Sequence, residues 1–328
     1  MGVYSREILS GLAAAHPEAG FRFCYRPHRY LRSWRESLPP NARRGLLAGP
    51  LGLGGAQLFH GLNQRLPELT LPRSVATFHD LFVMTSEYST PDFRARFTGQ
   101  ARDAASRATA VIAVSEFTRQ QAIAHLGVAP ERVYVVHHGI RGNPPAGGAQ
   151  AGRERVILNV GAMQKRKNIA RLVGAFETVD KDWRLVLAGS AGYGSEEILG
   201  RIAASPAAGR ISVLGYISPA ELAHWYARCS VFAFPSLDEG FGMPVLEAMA
   251  AGAPVLASNR SALPEVAGDA ALLVDPENLE ALGKALRDLT QSEDLRRDLA
   301  RRGSLRAQLF SWGKAVRATW EVYRQVLG

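Results

Sequence analysis

Twice along this chain, short apolar runs of strand length alternate with helix-compatible stretches, and twelve residues that can continue neither pattern separate the two series. The first series has a helix from Tyr4 to Ala15 and strands near Phe21–Tyr25, Leu58–His60, Val75–Phe78, Ala110–Val114 and Val133–His137. Helical stretches at Phe93–Arg107 and Glu116–Leu126 lie between the later strands. The second series has strands at Val156–Leu158, Leu185–Leu187, Ile211–Leu214, Val231–Phe234, Val255–Ala257 and Ala271–Val274, then helices at Leu279–Thr290, Leu295–Leu309 and Ser311–Leu327. A βαβ alternation implies a parallel sheet covered by helices on both faces. The interruption, residues 141–152, is proline, glycine and alanine without apolar periodicity and reads as a linker. With 328 residues, 47% of them apolar, the chain is long enough for two cores. The expectation is an α/β protein with domains at 1–142 and 153–310 and a linker at 143–152.

The most informative segment is Asp238-Glu239-Gly240-Phe241-Gly242-Met243-Pro244-Val245-Leu246-Glu247. Upstream, Val231-Phe232-Ala233-Phe234 is a buried-strand run ended by Pro235; downstream, Val245–Ala251 is helical in composition until Gly252 and Pro254. Strand, glycine-bearing loop and helix follow one another, with Pro244 where the helix begins. Gly240 and Gly242 let backbone N–H groups approach a ligand, the helix start adds partial positive charge, and a loop carboxylate accepts hydroxyl hydrogen bonds. Such a loop suits a polyhydroxylated, phosphorylated ligand. By spacing alone the same pattern also fits an ordinary α/β loop with two surface glutamates.

From Phe234-Pro235-Ser236 through Glu247-Ala248-Met249-Ala250-Ala251-Gly252-Ala253-Pro254-Val255 to Leu263-Pro264-Glu265-Val266, the sequence resembles the donor-sugar loop of retaining glycosyltransferase family 4. The resemblance implies the GT-B architecture, two Rossmann-like domains facing one another across a cleft, with the last helix (311–328) returning to complete the first domain. It also implies transfer of a sugar, mannose first and glucose next, from a nucleoside diphosphate donor to an acceptor hydroxyl with retention of configuration. Glu239 would hold hydroxyls of the transferred sugar, helped by the N–H groups of Gly240, Phe241, Gly242 and Met243 ahead of Pro244, and Glu247 would bind the ribose. Val160-Gly161-Ala162-Met163-Gln164-Lys165-Arg166-Lys167-Asn168 resembles the family's phosphate motif, which makes Gly161, Arg166 and Lys167 the diphosphate site. An arginine that many members carry directly after the strand's glycine is replaced by Ala162, and Arg166 would substitute for it. Cations beside a helix start suit a diphosphate, and they stabilise the negative charge that grows on the leaving group. No divalent metal or other cofactor is required on that reading, because protein cations take its place.

In the first domain, Thr77-Phe78-His79-Asp80 closes a strand at the end where ligands meet α/β sheets and resembles the segment whose histidine reaches the donor sugar. His79 is the residue expected at the reaction centre, with Gly2, His60 and Asp80 on the acceptor side. Ser115-Glu116-Phe117-Thr118 reads as a helix N-cap, and His137-His138-Gly139 lacks the further ligands of a metal site. Gly2-Val3-Tyr4 matches the place where a glycine loop enters the family's first helix, so the strand that precedes it, central in a doubly wound sheet, has no counterpart here. The expectation is a chain truncated at its start or a fold that patches the gap.

The net charge of +9 is concentrated: between Arg22 and Arg44 lie seven arginines against the single acid Glu36, interleaved with Tyr25, Tyr30, Leu31 and Trp34. This reads either as a basic amphipathic surface for anionic lipid or as a solvated arginine-rich face. No nucleic-acid-binding motif accompanies the charge. Cys24 and Cys229 have no metal-type spacing and read as reduced thiols, and no apolar run is long enough to span a membrane. The expected location is the cytoplasm, with peripheral contact at the inner membrane face. Two other functions stay open: a GT-B phosphorylase or epimerase sharing these motifs, and a non-catalytic nucleotide-sugar-binding protein.

Overall fold

A computed structural model describes residues 2–48, 53–71, 73–140 and 152–328; the expected linker, apart from Gly152, lies outside them. In chain order the elements are α1 (Val3–Ala15), β1 (Phe21–Tyr25), α2 (Pro27–Ser33), β2 (Ala42–Leu46), β3 (Leu58–Gly61), β4 (Arg73–Phe78), α3 (Phe82–Thr85), α4 (Pro91–Arg107), β5 (Ala110–Ala113), α5 (Glu116–Leu126) and β6 (Val133–Val135). Then follow β7 (Glu154–Val160), α6 (Ile169–Phe176), β8 (Arg184–Ala188), α7 (Ser195–Ala203), β9 (Ile211–Gly215), α8 (Pro219–Arg228), β10 (Cys229–Phe234) and α9 (Met243–Ala250). The chain ends with β11 (Val255–Ser258), α10 (Leu263–Ala267), β12 (Ala271–Val274), α11 (Leu279–Gln291), α12 (Glu293–Ala307) and α13 (Trp312–Leu327). Two compact units result: residues 1–84, 91–139 and 311–328, and residues 85–90 with 140–310.

The second unit holds a six-stranded parallel sheet of order β9-β8-β7-β10-β11-β12. Its strands are near-continuous apolar runs because both faces are covered: all six residues of β10 are buried, and Ile157, Leu185 and Leu187 pack with Leu172 and Phe176 of α6 and Leu282 and Leu286 of α11. Side-chain caps start several helices. Ser218 and Glu221 form a reciprocal capping box at α8, and Asn278 and Ser292 cap α11 and α12.

The first unit departs from this plan at one place. Its strands fall into two separate parallel sheets, β2-β1 and β3-β4-β5-β6, and among the described residues no strand joins β1 to β3. Laid against the 3-2-1-4-5-6 order of the second unit's sheet, the position that no described strand fills is the central one, the place for which the sequence comparison with the family found no counterpart. Alternation along β4 shows how the helices cover the larger sheet. Ala76 and Phe78 pack with Phe97, Ala101 and Ala104 of α4, whereas Thr77, between them, bonds the Tyr4 hydroxyl of α1. Helix α13 packs on α1 so closely that a Cβ on Gly11 would lie 2.4 Å from Val316 Cγ2. Residues 22–44 are not one amphipathic surface but strand, helix and strand, with Leu31 and Trp34 exposed. Arg44 turns inward, donating to the carbonyls of Ser33 and Glu36 and stacking over Trp34.

Candidate functional site

In the second unit the strand order reverses between β7 and β10, and ligands of open α/β sheets bind beyond the C-terminal ends of strands at such a reversal. The loop after β7 begins at Gly161, whose φ of 149° an L side chain rarely adopts. Gly189, after β8, crosses it so tightly that a Cβ there would sit 1.9 Å from the Gly161 carbonyl oxygen. Lys165–Lys167 form a single 3-10 turn, and Asn168, left-handed at φ 58°, turns the chain into α6. Its buried amide donates to the carbonyls of Pro235 (3.1 Å) and Pro276 (2.7 Å), which ties the loop after β7 to the loop after β10.

That tie brings three charges together. Lys167 Nζ lies 2.6 Å and Arg166 Nη1 2.7 Å from Glu239 Oε1, and the Ser236 hydroxyl donates to the same oxygen at 2.6 Å. Arg166, Lys167 and Glu239 are each only 8% exposed. Burial by itself would raise the Glu239 pKa, but Lys167 and Arg166 outweigh it and hold the carboxyl below its ordinary value. The ammonium of Lys167 also sits 4.5 Å from the centroid of the Phe234 ring. Two cations sharing one carboxylate leave a local excess of one positive charge in a desolvated corner, an arrangement suited to an incoming anion. Lys165, by contrast, is exposed and paired with Glu197, so only two cations of the Lys-Arg-Lys run belong to the cluster.

Gly242, at φ 100°, precedes Met243 and Pro244 at the start of α9, and a Cβ on it would meet Leu263 Cδ2 at 2.5 Å. The loop ahead of it is pinned at Glu239, whose N–H donates to Ser261 Oγ and whose carbonyl accepts from the Ala262 N–H. Phe241 is buried edge-on to Phe310. Glu247 lies a full turn into α9, not at its start, and accepts from the Tyr226 hydroxyl at 3.0 Å. Burial raises its pKa, opposite to the shift of Glu239. Residues 85–90 also belong to this unit, and burial raises the Tyr88 pKa with the charge of Asp238 adding to it. One Asp-x-Asp run, Asp180-Lys181-Asp182, precedes β8 at the opposite end of the sheet, and Asp182 pairs with Arg155. Ser236, Asn168, Tyr226 and Ser261 were not singled out by sequence. The first two lie within the quoted motif segments but were given no role there, while Tyr226 and Ser261 carry no sequence signal of their own.

The first unit gathers the histidines. His79 Nε2 lies 3.0 Å from the Leu62 carbonyl oxygen, and its Nδ1 3.3 Å from His138 Nε2. A carbonyl only accepts, so Nε2 carries the proton, Nδ1 accepts, and His138 donates from Nε2. His79 stacks on His138 and meets the edge of Tyr4, and desolvation lowers its pKa. His60 bonds Tyr323 of α13 through Nδ1 (2.5 Å) and Thr77 through Nε2 (2.7 Å), a chain that Tyr4 extends at 3.0 Å. Desolvation, helped by the nearby His79, pushes the His60 pKa down to about 3. Both nitrogens of both rings are thus engaged, and His60 ties β3, β4 and α13 together. Asp80 is half-buried beyond the same strand end, and Gly2 caps α1. Ser115 is an N-cap, accepting from the Thr118 N–H.

Residues 145–306 match the model of glycosyl transferases group 1, and residues 55–141 match that of Glycosyltransferase Family 4. O-antigen chain mannosyltransferase B of Escherichia coli is 30% identical over 282 residues, which are 81% of this chain and 74% of that protein. The serotype-specific mannosyltransferase WbdA of E. coli is 26% identical over 275 residues, but the chain spans only 34% of its length. Sucrose-phosphate synthase of Thermosynechococcus elongatus superposes with a TM-score of 0.76 over 98% of this chain and 92% of that one, at 24% identity. HepE of Anabaena, solved in complex with UDP, gives 0.74 over 99% and 96%, at 16% identity. These likenesses agree with the switch-point topology of the parallel sheet, and the chain belongs to glycosyltransferase family 4, with the GT-B fold.

Proposed function

We propose that this glycosyltransferase moves mannose from GDP-mannose, with UDP-glucose as the next donor in line, to an acceptor hydroxyl with retention of configuration, in the assembly of a polysaccharide or glycolipid. The observation that carries the reading is the pair of buried cations on Glu239 at the strand reversal. The relatives named as mannosyltransferases support the sugar, and the UDP complex of HepE supports a nucleoside diphosphate. In this reading the donor's diphosphate draws on Lys167 and Arg166, whose charge counts most as the leaving group develops its own. Glu239 holds sugar hydroxyls, Glu247 the ribose, His79 faces the transferred sugar, and no metal or other cofactor is needed. Exposed Leu31 and Trp34 beside Arg29, Arg32 and Arg35 support docking on an anionic membrane; among the described residues no helix is long and apolar enough to cross one.

A donor screen by thermal shift tests this, since a ligand at 100 times its Kd stabilises by about 2.7 kcal/mol. GDP-mannose should give the largest shift and support transfer to an alcohol; transfer to phosphate alone would instead make the protein a phosphorylase. The split first sheet favours one second reading, a protein that binds the nucleotide sugar without turning it over. Donor binding with neither hydrolysis nor transfer would establish it.

A further inference from the structure

At the end of the second unit's sheet away from Glu239, the strand starts and one helix junction enclose a cavity of about 430 Å³. Small-ligand sites usually span about 300–1,000 Å³. Arg153 and Arg155 reach it from the start of β7, Asp182 and Trp183 from the turn before β8, and Ser230 from β10. The opposite wall is the junction of α11 with α12, with Thr290, Gln291 and Arg296. Strand β7 has seven residues, so about 20 Å separates this cavity from the loop that carries Arg166 and Lys167.

Two guanidiniums on the wall are bonded to no carboxylate among the described residues. Arg153 donates to the carbonyls of Tyr226 (2.9 Å), Cys229 (2.8 Å) and Ala251 (2.6 Å), at the ends of α8 and α9, and its buried Nε has no partner. Arg296 donates through Nη1 to the carbonyls of Leu289 and Thr290 and lies 5.7 Å from the centroid of the Trp183 ring, which fixes its plane. Its Nε and Nη2, the edge of the fork that can take two oxygens of one oxyanion, have no partner among the described residues. Main-chain carbonyls satisfy these donors without cancelling their charge, and desolvation lowers the pKa of both groups. Ser230 is only 7% exposed, yet its hydroxyl has no hydrogen-bond partner among the described residues. Buried hydroxyls are normally bonded, and this one lines the cavity. Three acids also line it: Asp182 is held by Arg155 and Glu293 by Arg297, while Asp180, exposed at the rim, can accept from hydroxyls.

We propose that this cavity is a second ligand site, for a small phosphorylated polyol: the phosphate takes the free edge of Arg296 with the charge of Arg153 behind it, and the hydroxyls bond Ser230, Gln291 and Asp180. One oxyanion matches the one unpaired guanidinium edge. The further charges of a polyanion would meet Asp180 and Glu293, so a nucleoside triphosphate does not suit the site, and a bare sugar has nothing to offer the arginines.

The full chain is titrated by calorimetry with mannose 6-phosphate and glycerol 3-phosphate, and with mannose and inorganic phosphate as controls. Saturating GDP and, separately, the Lys167→Met variant keep phosphate held at the Arg166–Lys167 corner out of the measurement, so the outcome does not depend on the donor reading. At least one of the two phosphorylated polyols should bind with a Kd of about 1 mM or tighter, and mannose should not. Hydrogen exchange should slow at the amides of 180–183 and 289–296. Arg296→Gln should weaken binding by about tenfold or more, the usual scale for a charge-assisted bidentate contact. Ser230→Ala, which removes a hydroxyl that bonds nothing in the protein and so leaves the fold intact, should weaken it by about threefold or more. Binding of neither polyol phosphate, protection confined to 161–168, or undiminished affinity in both variants would overturn the proposal. Inorganic phosphate bound as tightly as the polyol phosphates would overturn it too, by showing that the hydroxyls meet no partner.

Discussion

Replacing Lys167 by methionine keeps an apolar stem against Phe234 and removes the ammonium 2.6 Å from Glu239 Oε1. A hydrogen bond to a charged group is worth about 1.5–3 kcal/mol net. Arg166 stays 2.7 Å from the same oxygen, and the relieved desolvation of Lys167 offsets part of the loss, so about 1.5 kcal/mol is expected for Lys167→Met. Glu239→Gln should cost more, because it leaves two buried cations facing no carboxylate. If the three groups act as one cluster, the double variant loses less than the sum of the single losses, by about 1–3 kcal/mol. Denaturant unfolding followed at Trp183, in the core of the second unit, measures all four forms. The same substitution should cut transfer by about 10²–10³, the usual effect of removing one group that stabilises developing negative charge. Affinity for the free nucleoside should hardly move. Losses that add within about 0.5 kcal/mol, or a nucleoside affinity that falls as far as turnover, would refute the reasoning.

Glu247→Gln removes the carboxylate assigned to ribose and should weaken donor and free nucleoside alike, in calorimetry, while the Tyr226→Phe variant, which loses only the 3.0 Å bond, weakens them less. Acid should loosen the first unit early: His60 titrates near 3 when folded against 6.5 when unfolded, so the unfolded chain binds more protons between those values. The stability this group confers is complete above pH 6.5 and falls by about 1.4 kcal/mol per unit below it, about 2 kcal/mol by pH 5; a His60→Gln variant whose thermal midpoint falls as steeply with acid would contradict this. Co-sedimentation with phosphatidylserine vesicles should fall steeply with salt and vanish when Arg29, Arg32 and Arg35 become glutamine, each surface arginine adding about 1 kcal/mol of attraction. Equal binding to neutral and anionic vesicles would return the segment to a solvated face.

The inner strands of the second unit were legible because they are buried on both faces and so read as uninterrupted apolar runs; β10 and β11 are the clearest cases, while the outer strands β9 and β12 are mostly half-buried. Strand β2 was not, since Ala42-Arg43-Arg44-Gly45-Leu46 has two arginines and a glycine in five residues and pairs on one side only. Helix α2 was missed for a related reason: arginines at helical spacing look like a charged surface whether or not a helix carries them. Glu239, Arg166 and Lys167 could be named from motif resemblance, but not the fact that they bond one another. That contact depends on Asn168 bridging two loops 67 and 108 residues away, a long-range geometry with no local signal. The split of the first unit's strands into two sheets was legible from resemblance, because Gly2-Val3-Tyr4 resembles the place where a glycine loop enters the family's first helix.

Glu239, in the loop before α9, and Glu247, a turn into that helix, have environments that drive their protons in opposite directions, and pairs of this kind separate roles within one site. Glu239 is kept ionised by two cations despite burial; Glu247, with only a phenol beside it, is pushed toward the neutral acid by the same burial. In the proposed function this has a consequence for the order of events. A diphosphate entering beside Lys167 and Arg166 competes with Glu239 for both, so donor binding weakens the bonds that now hold the carboxylate on one oxygen. Glu239 then becomes able to accept from sugar hydroxyls only once the phosphates are in place. Among the described residues no cation pairs with Glu247, so it meets the nucleoside half in the same state with or without the phosphates. Removing the phosphates from the ligand should therefore leave the Glu247→Gln penalty on binding intact and abolish that of Glu239→Gln. Equal penalties at Glu239 for nucleoside and nucleotide sugar would mean that its carboxylate does not sense the diphosphate, and that the shared oxygen is a structural brace alone.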